Sequence, residues 1–159
     1  MIKNDNGVTM IMLVIIIVVL IIIAGITINY GIETQKEVML KDKITILSMI
    51  KAKGMGYQEK VDFKAGFDGS KMENAISEVY ETEASLVKID NNAEVSKLDL
   101  PGGTHNYYVS KVALEKMGIN KDAEEKEYVI SFNDTNLTLE VYLVKGYGGC
   151  YSLTQLEGM

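Results

Sequence analysis

Between Gly7 and Ile32 this chain carries no charge, and from Val8 to Ile28 it is almost entirely isoleucine, valine, leucine and methionine. A run of that length and composition has few options. A helix on the surface of a water-soluble domain keeps a polar face, and this run has none. About 20 apolar residues in helical form match the hydrocarbon core of a bilayer. Isoleucine and valine lower helix propensity in water. In lipid, however, a lone segment must satisfy its own backbone, which leaves only the helix. The sequence therefore divides into a polar leader over 1–7, a transmembrane half-helix over 8–29 and a head over 30–159.

The flanks narrow the kind of membrane segment. A cleaved secretory signal has a basic leader, a shorter apolar core and a small-x-small cleavage site. Here the leader Met1-Ile2-Lys3-Asn4-Asp5-Asn6-Gly7 is barely basic, and Ala24-Gly25-Ile26 and Gly25-Ile26-Thr27 each fail at one key position. A lipid-modified amino-terminal cysteine is excluded, because the only cysteine is Cys150. An uncleaved signal anchor fits these facts. Lys3 on one side stands against Lys36, Lys41 and Lys43 on the other, so the charges alone do not orient the segment.

Composition bounds the head. The net charge of −6 argues against a basic nucleic-acid surface. All 16 basic residues are lysine, so the bidentate clamps that arginine makes on phosphate or carboxylate are missing. One cysteine makes no internal disulfide.

Beyond Tyr30 the helix is expected to continue. Leu40, Ile44, Leu47 and Ile50 stand at helical spacing, and Gly54 and Gly56 read as its end. Phe67-Asp68-Gly69 reads as a turn, and Ser70 to Glu73 as a capping box. A short helix follows, with Met72, Ala75, Ile76, Val79 and Tyr80 on one face. Ser85–Ile89 reads as extended. A second short helix over Lys111–Met117 has Ser110 to cap its start. Gly118 can end it, with Ile119 folding back on Leu114. Glu127–Phe132 and Leu137–Val144 flank Asn133-Asp134-Thr135-Asn136 and predict a hairpin. Leu137, Leu139, Val141 and Leu143 alternate with Thr138, Glu140 and Tyr142, so one face is expected to be buried against the long helix. Gly146–Gly149 reads as a loop and Cys150–Leu156 as a last strand. The expected fold class is α+β: a long amino-terminal helix packed on a small antiparallel sheet, with two short helices.

The residues offer little chemistry. His105, the only histidine, reads as a surface loop residue with no metal-ligand spacing around it. Cys150 has no second cysteine or clear histidine partner and reads as a small buried apolar residue. Asp90, Asn92 and Glu94 resemble half of a calcium loop, but Val95 stands where such a loop needs glycine and Pro101 where it needs glutamate. Asp122, Glu124, Glu125 and Glu127 read as a solvated turn. Gly146-Tyr147-Gly148-Gly149 lacks the lysine of a phosphate loop. Tyr107, Tyr108, Tyr142, Tyr147 and Tyr151 read either as a contact surface or as ordinary strand residues. No catalytic residue, metal ligand or cofactor is expected, and the reading is not that of an enzyme.

Gly7-Val8-Thr9-Met10-Ile11, a glycine closing a polar leader directly before an apolar helix, resembles the processing motif of the type IV pilin and pseudopilin family. Asn106-Tyr107-Tyr108 through Gly118-Ile119, with Tyr128-Val129-Ile130, is also similar to the globular domain of pilin-like proteins from single-membrane bacteria. The resemblance implies cleavage between Gly7 and Val8 by a prepilin peptidase, with methylation of Val8. It implies an assembly helix that includes Met12, Ile16, Val19 and Ile23. Met12 stands where most of the family carry a glutamate that meets a neighbour's amino terminus, which points to a minor or tip subunit. The implied partners are the lipid bilayer, other pilin subunits, a membrane assembly platform and an ATPase. The implied location is a single pass in the bacterial cell membrane with the head on the extracytoplasmic side, then the cell surface or a pilus. The same residues leave open a single-pass surface protein whose head binds a ligand or partner and never polymerises.

Overall fold

The computed structural model describes the backbone of residues 5–66, 69–90, 95–101, 105–119, 126–133 and 138–159, and within the first helix the side chains of 13–22 and 34–66. The first helix, α1, runs from Asp5 to Ala65. The chain divides into two compact units, 1–41 and 42–159. The first unit is helical from Asp5 onward. Among the described residues no helix is long and apolar enough to cross a membrane; of the Val8–Ile28 run, the described side chains are those of Leu13–Ile22.

In the second unit α1 presents a buried stripe: Ile46, Leu47, Ile50, Gly54, Gln58, Val61 and Ala65. Their spacing of three and four residues is that of one helix face. Leu40 and Ile44 are half-buried at its start. The stripe runs well past the expected stop at Gly54 and Gly56. Gly54 is a packing residue: a Cβ built on it would lie 2.5 Å from Ile130 Cδ1 and 2.7 Å from Leu139 Cδ1. Its bare backbone lets α1 approach the sheet at that point. Gly66, at φ +59°, ends the helix, and its N–H donates to the Asp62 carbonyl at 3.0 Å.

Next come α2 (Gly69–Ile76) and a π-helical stretch, Ser77–Glu83. The helix starts before Ser70, so Ser70 lies in its first turn and not at the expected cap; Phe67 and Asp68 of the expected turn lie outside the described residues. Ala75, Ile76, Val79 and Tyr80 are buried as the periodicity required, and Met72 is half-buried. The widened stretch closes with the Ala84 N–H donating five residues back to Val79 at 2.9 Å.

Among the described residues the sheet has five antiparallel strands in chain order: β1 (Val87–Lys88), β2 (His105–Val109), β3 (Tyr128–Asn133), β4 (Thr138–Tyr147) and β5 (Cys150–Ser152). Within the expected Ser85–Ile89 segment the strand is Val87–Lys88, and the Ile89 N–H still donates to the Asn106 carbonyl of β2 at 3.0 Å. Between β2 and β3 lies α3 (Lys111–Lys116). It ends as the sequence predicts: Ser110 Oγ accepts from the Ala113 N–H at 3.1 Å, Gly118 takes φ +77°, and the Ile119 N–H donates to the Leu114 carbonyl at 2.9 Å.

The hairpin forms with Asn133 paired to Thr138; residues 134–137, including Leu137 of the expected strand, lie outside the described residues. β4 extends beyond Val144 to Tyr147, through a register irregularity between Tyr142 and Tyr147. Gly148 and Gly149, at φ +58° and +85°, then make a two-residue turn into β5. The expected last strand over Cys150–Leu156 splits. Ser152 caps a fourth helix, α4 (Leu153–Glu157), in a reciprocal box with Gln155.

Both sheet faces are covered, which departs from the one-sided burial expected. Leu139, Val141 and Leu143 are buried with Ile130 and Phe132 on the α1 side. There Tyr80 stacks on Phe132 at 3.9 Å, with Tyr107 edge-on to Tyr80 at 5.5 Å. On the opposite face Tyr108, Val129 and Tyr142 pack under Val95 and Leu98. A polar–apolar alternation along β4 does not reveal a cover supplied by a loop.

Candidate functional site

Leu13–Ile22 offers ten consecutive large apolar side chains, each 47–65% exposed. These side chains surround the helix and leave it with an apolar surface on every side. Ile16 and Val19 of the expected assembly helix belong to this stretch, at 48% and 47% exposure. Gly7, Val8, Met12 and Ile23 fall within the helical backbone of α1, and their side chains lie outside the described ones.

Within the head, the face of α1 opposite the buried stripe sets exposed apolar residues among the charged Lys53, Glu59 and Lys60. Met49, Ala52, Met55, Gly56 and Phe63 are exposed, and Phe63 is 89% exposed. Gly56, Glu59, Lys60, Phe63, Lys64 and Glu83 line an open depression of about 490 Å³. A Cβ added to Gly56 would meet nothing within 4 Å.

One wall of this depression is fixed by ion pairs. Lys64 Nζ lies 2.5 Å from Glu83 and 2.9 Å from Glu78, and Lys60 Nζ lies 3.2 Å from Glu83. Hydrogen bonds from Lys64 and then Lys60 hold the Glu83 carboxyl below its usual range. The same contacts from Glu83 and Glu78 raise the Lys64 ammonium. These groups tie the π-helical stretch to the last turns of α1. Lys116 adds a second tie, donating to the Glu83 carbonyl at 2.8 Å and to Ser85 Oγ at 2.7 Å. Ser85 sits at φ +57°, a position this clamp holds. Across the sheet edge, Glu140 accepts from Lys51 of α1 at 3.4 Å and from the Thr154 N–H of α4 at 3.2 Å.

The residues weighed for chemistry are dispersed. His105 opens β2 and is half-buried, not in a surface loop, because its backbone pairs with Phe132. Cys150 opens β5 and is half-buried. Asn92 and Glu94 lie outside the described residues, as do Asp122, Glu124 and Glu125. Among the described residues no group of three or more His, Cys, Asp or Glu side chains could hold a metal ion. Of the five tyrosines considered for a contact surface, Tyr107, Tyr108 and Tyr142 are core residues, while Tyr147 and Tyr151 are half-buried. Burial, with the Glu127 carboxylate beside it, raises the Tyr128 phenol well above its usual range, so it stays neutral.

Sequence reasoning missed Phe63 and the Lys60–Lys64–Glu83 cluster because it ended the helix at Gly56. Val61 and Ala65, in phase with Leu47 and Gly54, carried the missing signal. No protein-family model, curated protein or solved structure matches this chain.

Proposed function

We propose that this chain is a pilin-like structural subunit of a type IV filament or of a secretion- or competence-type pseudopilus. The observation that carries the reading is the apolar stretch Leu13–Ile22, exposed at every position, on a helix that continues into a compact α+β unit. The leader ending at Gly7 supports it from the sequence. In this reading residues 8–29 hold the precursor in the membrane, with the amino terminus inside. A prepilin peptidase cuts between Gly7 and Val8 and methylates Val8. An ATPase working through a membrane platform then moves the subunit into a bundle, where helix contacts between subunits replace lipid contacts. Apolar helices in lipid gain no hydrophobic free energy by meeting one another, so the transfer requires outside work. The head contributes surface and not catalysis.

The test is the amino terminus of protein extracted from membranes of a host with an active prepilin peptidase. Sequencing and intact mass should show Val8 first, with one added methyl group. An intact Met1 overturns the reading and leaves a single-pass surface protein with a ligand-binding head.

A further inference from the structure

We infer that the Gly7–Val8 bond is cut only after the first turn of α1 unwinds, and that Asn6 is a specificity-determining residue because it keeps that turn easy to open. The inference rests on the pilin-like reading, in which a peptidase cuts this bond.

The helical backbone of α1 begins at Asp5, so the Gly7–Val8 bond lies inside the helix and not in a tail before it. Hydrolysis adds water across the bond. The hydroxyl goes to the Gly7 carbonyl carbon, the remaining proton goes to the Val8 nitrogen, and the C–N bond between them breaks. Negative charge gathers on the carbonyl oxygen during the attack and needs donors that the enzyme supplies. In an α-helix each carbonyl is already engaged by the N–H four residues on. Gly7 is thus held by Ile11, Asn6 by Met10 and Asp5 by Thr9. The coiled backbone leaves no room for a nucleophile and a set of donors around one carbonyl. To present the bond, the carbonyls of Asp5, Asn6 and Gly7 must release those N–H groups.

The sequence makes that release easy at Gly7 and hard elsewhere. Asp5, an acid at the helix start, favours the closed turn. Asn6 and Gly7 are both poor helix formers and weaken it. An end turn also opens without interrupting the helix beyond it. The same helix repeats a glycine–isoleucine bond at Gly25-Ile26 and at Gly31-Ile32. Opening at either breaks the helix on both sides, and at Gly25 it strands backbone groups among hydrocarbon. The residue before each glycine points the same way. Ala24, the strongest helix former, precedes Gly25, and Tyr30 precedes Gly31, whereas Asn6 precedes Gly7. A glycine before an apolar residue is therefore not sufficient; the bond that is cut is the one whose turn opens.

The test follows loss of the leader over time by mass spectrometry, for the full-length chain in its own membrane with an active prepilin peptidase. Asn6→Gly and Asn6→Ala both remove the side-chain amide, so loss of a contact with the peptidase would slow both. Helix opening separates them. Asn6→Gly should be cut faster than wild type and Asn6→Ala slower, and the propensity gap between glycine and alanine converts to a difference of about fivefold. Without the peptidase, hydrogen exchange at the Thr9, Met10 and Ile11 amides should rank the three chains in the same order. Equal cleavage rates, slowing of both variants, or a cleavage order that exchange does not follow, with wild type beginning at Val8, overturns the inference and leaves the pilin-like reading standing. Wild-type protein that keeps Met1 overturns both.

Discussion

Gly54 and Gly56 are two residues apart on the same helix, and alanine should shift stability in opposite directions at the two sites. In a helix interior, glycine to alanine is favourable by about 1 kcal/mol on backbone grounds. At Gly56 nothing opposes that gain: the position is exposed and a Cβ would meet no atom within 4 Å. Gly56→Ala should stabilise the head by about 0.5–1 kcal/mol. At Gly54 the new Cβ would fall 2.5 Å from Ile130 Cδ1 and 2.7 Å from Leu139 Cδ1. Ile130 is fully buried and Leu139 is 6% exposed, so neither methyl can swing away into solvent. Overpacking of this kind costs about 1–3 kcal/mol, which exceeds the propensity gain. The net expectation is a loss of up to about 2 kcal/mol. In urea melts of residues 30–159, with a slope of about 1–3 kcal/mol per molar, the two midpoints should move in opposite directions from wild type. The Gly54→Ala shift should be several tenths of a molar or more. A Gly54→Ala midpoint at or above wild type would show that α1 does not press on β3 and β4 there, and the reasoning would fail.

Two further expectations concern the same helix. Leu47 has no exposed surface, so Leu47→Ala should destabilise the head by roughly 2–5 kcal/mol; a change below half a kcal/mol would show that this stripe does not hold α1 to the head. If assembly pairs a buried acid with a neighbour's amino terminus, Met12 leaves that amino group unpaired at a cost of several kcal/mol. The protein should then be scarce in sheared filaments measured by quantitative mass spectrometry, and Met12→Glu should raise its share; wild-type protein as the dominant component refutes the minor-subunit reading.

The elements most legible in the sequence were those fixed by local chemistry. Ser110, Gly118 and Ile119 bound α3 because a cap, a left-handed glycine and a return contact all act within nine residues. The β3–β4 hairpin was found from alternation, and the pairing of Asn133 with Thr138 carries β3 one residue beyond the expected Phe132. What alternation could not tell was which residues from elsewhere would cover the second face, so Tyr142 read as outward and is buried with Val95, Leu98 and Tyr108. The length of α1 was misread for a related reason. A glycine within a helix signals an end only if nothing approaches it, and the approach of Ile130 and Leu139 to Gly54 is a tertiary fact. Along Cys150–Leu156 two signals competed, and the Ser152–Gln155 box won over strand propensity after three residues.

The corrected end of α1 changes what the helix can do. A helix stopping near Gly56 would offer the sheet one short stripe and solvent little more than a glycine-rich terminus. Running on to Ala65, it holds Val61 and Ala65 in the core while carrying Phe63 out on the other side. The same extension brings Lys60 and Lys64 to Glu83, so the exposed ring stands beside a wall anchored by three ion pairs and not on a fraying end. Burial on one face and rigid apolar display on the other thus come from the same added turns.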